Sequence, residues 1–489
     1  MDTTHAGHFF INGAWSEPSG PRETIAVVNP ATETTIADVT LGTADDLDRA
    51  VDAARNAFVS FSNTSVADRT ALLRAIGDAY KKRFNDMGAV ISEEMGAPIS
   101  FATRMQAGAG LSHFKVMAGL LPDYPFEEAR GTTTVLHQPI GVVGMITPWN
   151  WPANQIACKV AGAIAAGCTM VLKPSEVAPF SAMLLAEILA DAGVPDGVFN
   201  LVNGDGGGVG QAMAAHPGVD AISFTGSTGA GIDVAIRAAP TVKRVGQELG
   251  GKSAHVILDD AEFSSAVRTG AELCFRNSGQ SCNAPTRMLV PAGQIEDAGQ
   301  IAAAVAADLK VGAPSDPKTT MGPVVSLRQW GKIQEHIESG LAQGATCVAG
   351  GAGRPEGLST GYYVQPTVFT NVDNATHRIA REEIFGPVLS IIGYRDEADA
   401  IEIANDSPFG LAAYVSSSDQ DRARSVARRL QAGMVHINGA PADPSAPFGG
   451  VKQSGNGREW GAASLEEYLE EKSVMGWTPH ICRGGASTA

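Results

Sequence analysis

The six cysteines, at positions 158, 168, 274, 282, 347 and 482, form no CxxC pair and no cluster at metal-ligand spacing. That speaks against a disulfide framework and a zinc site, and leaves reduced thiols. Positive charge is also short. Lys and Arg total 36 against 52 Asp and Glu, a formal net charge of -16, and the basic residues form no stripe. Binding to nucleic acid or to an anionic membrane by charge attraction is therefore not expected. The longest apolar run, residues 160 to 172, is too short for a bilayer span and contains Gly162 and Gly167. The opening "MDTTHAGHFFINGAW" lacks the basic flank and apolar core of a signal peptide, and the closing "RGGASTA" matches no targeting signal, so a cytoplasmic location is expected. No stretch is polar enough to read as disordered.

What is present points to a large globular chain. With 489 residues against roughly 100 to 200 for a typical domain, two or three packed units are expected. "FFINGAWSEPSG" and "IAVVNPATETTIADVTLG" alternate apolar and polar residues around turn formers and predict short strands or hairpins. From about Thr43 to Leu120, apolar residues recur at three and four spacing, which predicts a helical layer capped by residues such as Thr43. From Pro139 the pattern becomes strand, turn, helix, and it resumes after Gly251. Val/Ile-rich runs alternating with helices predict two successive α/β units, the first a doubly wound parallel sheet that binds ligands at the carboxyl ends of its strands. The Gly-rich "NGDGGGVG", residues 203 to 210, departs from GxGxxG spacing and reads as a loop.

Several features at predicted strand ends carry chemistry. Asn150 of "ITPWNWP" offers an amide donor between a strand and a helix start, or simply a turn or cap. Glu248 of "VGQELGGKS" sits between Leu249 and two glycines, where a partly desolvated carboxylate gains a pKa suited to a general base; a surface Glu beside a turn is the plain alternative. Cys282 of "RNSGQSCNAPTR" has a polar, Gly-containing setting unlike the apolar settings of Cys158 and Cys168. Gly279 gives the backbone room to turn there. Lys173 and Glu176 of "MVLKPSE" leave the sheet together and suit ribose hydroxyls. "AISFTGSTGAG" places Gly226, Ser227 and Gly229 at a helix start, where backbone NH groups suit a pyrophosphate. No His neighbours these motifs, which disfavours a thiol-His hydrolase.

Taken in order, "TPWNWP", "LKPSE", "FTGSTGAG", "QELGGKS", "GQSCNAPTR" and "EEIFGPV" resemble the NAD(P)-dependent aldehyde dehydrogenase superfamily, and the likeness runs from "FINGAW" to "PFGGVKQSGNGRE". The 34-residue interval from Glu248 to Cys282 agrees with that pattern. The resemblance implies Cys282 as nucleophile, Glu248 as general base, and the Asn150 amide with the Cys282 backbone NH as oxyanion hole. It implies cofactor contacts at Ile146, Trp149, Lys173, Glu176, Phe224, Gly226, Ser227, Leu249, Glu383 and Phe385. NAD is favoured, because Glu176 would repel a 2'-phosphate, although Lys173 leaves NADP possible. No metal is implied. The product is a free carboxylic acid.

By the same likeness, Asn154, Gln155 and Cys158 face the aldehyde, and the small-residue loop 439 to 447 leaves a roomy tunnel for a medium, branched or aromatic aldehyde. The implied architecture is a cofactor domain of residues 1–120 and 140–251, a catalytic α/β domain of 252–452, and a small β oligomerisation element of 121–139 and 453–489. A homodimer or homotetramer is implied.

Overall fold

The computed structural model describes residues 2–20 and 23–477. Cys482 and the last part of the implied bridging element, from 478 onward, lie outside the described residues.

The N-terminal hairpin forms where "NG" calls for it. Asn12 and Gly13 take φ values of 53° and 79° between the strands Phe9–Ile11 and Ala14–Ser16, the left-handed pair that a two-residue hairpin turn requires. A second hairpin pairs Glu23–Asn29 with Thr34–Leu41. The helical layer follows. Thr43 and Asp46 close a reciprocal capping box at the start of Ala44–Phe61, and Ser65 with Asp68 does the same for Val66–Lys82, so each start satisfies orphan amides locally.

The first seven-stranded sheet runs Arg244–Glu248, Ala221–Thr225, Val142–Ile146, Thr169–Lys173, Phe199–Leu201, then the N-terminal hairpin. Its five central strands are mutually parallel. Every residue of Val142–Ile146 and Thr169–Lys173 is buried, as helices on both faces demand. Chain order reverses between Val142–Ile146 and Ala221–Thr225, and that reversal opens a crevice at the carboxyl ends of the strands. The second seven-stranded sheet runs Thr346–Ala349, Thr367–Thr370, Val388–Tyr394, Arg287–Pro291, Ala254–Ile257, Ala412–Ser416 and Met434–Ile437, parallel except for the first. A small antiparallel sheet joins Leu469–Met475, Thr133–Pro139 and Glu127–Arg130. The architecture is a doubly wound cofactor-type sheet, a second α/β unit and a small β element.

One local expectation is corrected. Residues 203 to 210 are not plain loop: Gly206–Gly210 form a π-helical turn whose start is capped by the Asp205 carboxylate accepting from Gly208 N. Four glycines carry little helix propensity, so the cap decides the local fold.

Candidate active site

Asn150 follows the Val142–Ile146 strand and precedes the helix Pro152–Ala166. Glu248 ends Arg244–Glu248. The chain places these residues at the sheet's crevice, and the loop carrying Cys282 arrives there from the second unit.

That loop is held by cross-links and stored strain. After the helix Phe263–Phe275, Asn277, Ser278 and Gly279 take φ values of 55°, 56° and 72°. Two non-glycine residues in the left-handed region cost free energy that the surroundings must supply. They do. Asn277 Nδ2 donates to the Asn150 carbonyl at 2.9 Å, Gln106 Nε2 donates to Asn277 Oδ1 at 2.9 Å, and Ser278 Oγ donates to Gly322 O at 2.9 Å. Asn150 Nδ2 donates to Gln280 O at 3.1 Å, and Trp151 Nε1 to Ser281 Oγ at 2.8 Å. A side chain at Gly279 would run into the Gly386 carbonyl and Pro387, and one at Gly251 into the Cys282 carbonyl. These glycines permit the loop to approach both sheets.

Cys282 is half-buried, and all five described cysteines are free thiols. Burial, with the Glu383 and Glu248 carboxylates nearby, pushes its thiol well above the usual range, against the pull of the Asn283 and Cys282 backbone NH groups. Glu248 is buried, and neither carboxylate oxygen has a hydrogen-bond partner. Burial raises it well above the ordinary carboxylate value, and Glu459 adds to the rise. A carboxylate poised this way favours taking a proton.

The residues assigned to a cofactor form a rim. Lys173 Nζ donates to Pro174 O at 2.9 Å and Gly204 O at 2.7 Å, and lies 3.3 Å from Glu176 Oε2. Ser227 caps Thr228–Ala238, its hydroxyl accepting from Ala230 N, and the space around the Gly229 Cα is open. Ile146 and Phe224 close the strand ends beneath, and Leu249 packs over Gly231. Gly226 N donates to Glu248 O at 3.1 Å, joining this rim to the base. On the far side Glu383 accepts from Gly251 N at 2.9 Å, and Phe385, at φ 60°, meets Trp149 edge-on at 5.4 Å. Gln329 Nε2 fixes that turn by donating to the Ile384 and Phe385 carbonyls. An open helix start, a Lys/Glu pair and a buried carboxylate opposite make a donor and acceptor set that fits a dinucleotide.

Sequence reasoning missed Lys159 and Glu459. They pair in the interior, and Lys159 also donates to Ser223 Oγ at 3.1 Å and Thr225 Oγ1 at 2.8 Å. A lone Lys inside the apolar "QIACKVAGAIAAG" was the available signal, because an unpaired buried cation is prohibitively costly. Cys158 turns to Glu459, with Sγ 3.3 Å from Oε2, and Asn154 Oδ1 lies 2.8 Å from His113 Nε2. Aromatic rings that the loop 439 to 447 lacks come from other segments. Trp460 stands 4.5 Å from Phe448 and 5.4 Å from His113, and Trp151 packs edge-on to Phe101. Among the described residues no group of His, Cys, Asp and Glu is arranged to hold a metal ion, and no helix is long and apolar enough to cross a membrane.

The aldehyde dehydrogenase family model matches residues 15–474. A 3-succinoylsemialdehyde-pyridine dehydrogenase from a Pseudomonas species is 55% identical over 470 residues, 96% of this chain and 98% of that protein. A cysteine-to-alanine variant of aldehyde dehydrogenase C from Pseudomonas syringae, solved with NAD+ and octanal, superposes with a TM-score of 0.96 at 51% identity, covering 98% of each chain. A Mycobacterium tuberculosis aldehyde dehydrogenase solved with NAD+ gives 0.93 at 38% identity, over 97% of this chain and 99% of that one. With the family model matched along almost its whole length, this chain belongs to the aldehyde dehydrogenase family.

Proposed function

We propose that this enzyme oxidises an aldehyde to a carboxylic acid with NAD, through a covalent intermediate on Cys282. One observation carries the reading: Asn150, Glu248 and the Cys282 loop converge at the crevice, tied by the Asn150 amide to Gln280 O. Cys282 gives up its thiol proton to solvent water and its Sγ attacks the aldehyde carbon as the thiolate, because hydride cannot leave until that carbon is tetrahedral, and a thiolate is a better nucleophile than water. Asn150 Nδ2 and the Cys282 backbone NH then face the oxyanion, each donor worth roughly 3 kcal/mol. Bound NAD supplies the hydride acceptor that leaves a thioester on Cys282. Glu248, buried and unpartnered, takes a proton from the water that attacks the thioester, and the acid departs as the thiol is restored.

Lys173 and Glu176 are assigned to the adenosine ribose, with the Glu176 carboxylate disfavouring a 2'-phosphate. Gly226 and Ser227 are assigned to the pyrophosphate, Ile146, Phe224 and Leu249 to the apolar floor, and Glu383, Phe385 and Trp149 to the nicotinamide end. Two of the relatives named above, the Pseudomonas syringae and Mycobacterium tuberculosis enzymes, were solved with NAD+ and support NAD. Residues 1–120 and 140–251 are assigned to the cofactor domain, 252–452 to the catalytic domain, and 121–139 with 453–489 to the bridging element. Medium, branched or aromatic aldehydes are the assigned substrates, and octanal in the Pseudomonas syringae structure is of medium length. A homo-oligomer is supported by Ile232, Ile236 and Val242, which stand 55%, 66% and 90% exposed on and just after one helix.

The test is formation of reduced nicotinamide from linear, branched and aromatic aldehydes with NAD and with NADP. Activity with NAD is expected for the wild type, and a loss of at least ~1000-fold for Cys282→Ala. No turnover of any aldehyde by the wild type, or an active Cys282→Ala, would sink the proposal.

A further inference from the structure

The braces described so far grip the upstream half of the Cys282 loop, residues 277 to 281. Tyr414 reaches the downstream half. It stands in the strand Ala412–Ser416, only 6% exposed, and its hydroxyl donates to the Asn283 carbonyl at 3.0 Å. Three neighbouring strands hold that phenol. Tyr414 is in register with His255 on Ala254–Ile257 and with His436 on Met434–Ile437, so the three rings share one face of the second sheet. His436 stacks on the phenol, with ring centres 4.7 Å and planes 13° apart, and His255 meets it edge-on at 6.0 Å. Both imidazoles are themselves anchored. His436 Nδ1 lies 2.9 Å from the Ala440 carbonyl and so carries the proton it donates, and His255 Nε2 lies 2.8 Å from Ser416 Oγ. Burial, with the Cys282 thiol nearby, pushes the phenol pKa upward, so the hydroxyl keeps its proton and remains a donor.

The bond holds the backbone beside the nucleophile. The Cys282 carbonyl is packed at Gly251, where a side chain would run into it. Burial, Glu383 and Glu248 all work against the Cys282 thiolate, while the Asn283 NH, on the same peptide as the Cys282 carbonyl, works for it. That NH helps only while it stays aimed at the sulfur, since hydrogen bonds weaken steeply as the angle opens. The Asn283 NH and carbonyl are separated by one Cα with its two soft dihedrals, so pinning the carbonyl limits how far the NH can swing.

We propose that Tyr414 is a positioning residue for the nucleophile: seated between His255 and His436, its hydroxyl pins the Asn283 carbonyl and so keeps the Asn283 NH on the Cys282 sulfur as the thiolate forms and attacks. This rests on the assignment of Cys282 as nucleophile above. Tyr414 acts through the loop backbone. A strand inside the sheet is a rigid base for such a donor, and a loop held from one side alone loses the close placement that attack needs.

The experiment uses Tyr414→Phe in the full-length protein, which keeps the ring and its stacking and removes one oxygen. Rapid mixing with NAD and an oxidisable aldehyde reads the rate of the first turnover. Mass spectrometry reads alkylation of Cys282 by iodoacetamide at about pH 8.5 without cofactor. Both rates are expected to fall by roughly 3- to 10-fold, the worth of one hydrogen bond. The KM for NAD is expected to stay unchanged, and the buried Cys168 and Cys274 to resist the reagent as they do in the wild type. A loss of packing alone moves alkylation the other way, because a loosened fold exposes Cys282, Cys168 and Cys274 together. Unchanged or faster Cys282 alkylation in Tyr414→Phe, or an unchanged first turnover, overturns this inference and leaves the reaction standing. A wild type that oxidises no aldehyde overturns the reading of the reaction, and with it the role of Tyr414 in attack.

Discussion

Cys282 is placed where its thiol holds its proton. Burial and two neighbouring carboxylates disfavour the thiolate, so reactivity in the cofactor-free protein should track the small ionised fraction. Alkylation by iodoacetamide, followed as the mass change at Cys282, is expected to be slow near neutrality and to rise about tenfold per pH unit between about pH 7 and 9. The sign follows from the shift. A raised thiol pKa puts the thiolate, and therefore the rate, on the alkaline side. Fast alkylation independent of pH would show a depressed pKa and contradict the assignment. At this scale the sequence was informative about identity and poor about partners. Cys282, Glu248 and Asn150 were only candidates from their local settings, and the order of the motifs, through the family resemblance, singled them out. Gln106 and Asn277, which brace the loop, were not legible, because a bond spanning 171 residues leaves no local pattern.

The helix Thr228–Ala238 shows how one element serves two faces. Its first turn, opened by Ser227, is the one assigned to the pyrophosphate, while Ile232 and Ile236, one turn apart, form an exposed apolar stripe. In the homo-oligomer proposed above, these two isoleucines are assigned to the self-association surface. Light scattering of Ile232→Asp/Ile236→Asp is expected to give a smaller species than the wild type, since a charge in a buried apolar contact removes the driving force. An unchanged mass would place the assembly surface elsewhere. Helix starts were legible here because the signal is local: Thr43 with Asp46 and Ser65 with Asp68 state their capping boxes in the sequence. The π-helical turn at Gly206–Gly210 was hidden. Four glycines offer no propensity, and only the Asp205 cap reveals it.

Across the whole molecule, the first sheet brings the carboxyl ends of its strands to one crevice, and the loops that lead into the strands Arg287–Pro291 and Val388–Tyr394 of the second sheet bring Cys282, Glu383 and Phe385 to it. The alternation of strand and helix made that fold class legible, and the order of the motifs located the site. The aromatic cluster was less legible. Phe448, Trp460 and His113 come from segments far apart in the chain and meet only through packing. Lys159 was overlooked as an isolated charge in an apolar helix, and its partner Glu459 lies 300 residues away.

The covalent route itself has one direct test, which is rapid mixing of Glu248→Gln with NAD and an oxidisable aldehyde. Glutamine keeps the shape of the side chain and cannot take the water's proton, so acylation should proceed while hydrolysis stalls. The expected result is a burst of about one reduced nicotinamide per active site. A steady rate at least ~100-fold below the wild type should follow, with an acyl adduct on Cys282 seen by mass spectrometry. Turnover at the wild-type rate without an adduct, or no burst and no adduct, would contradict the roles given to Cys282 and Glu248.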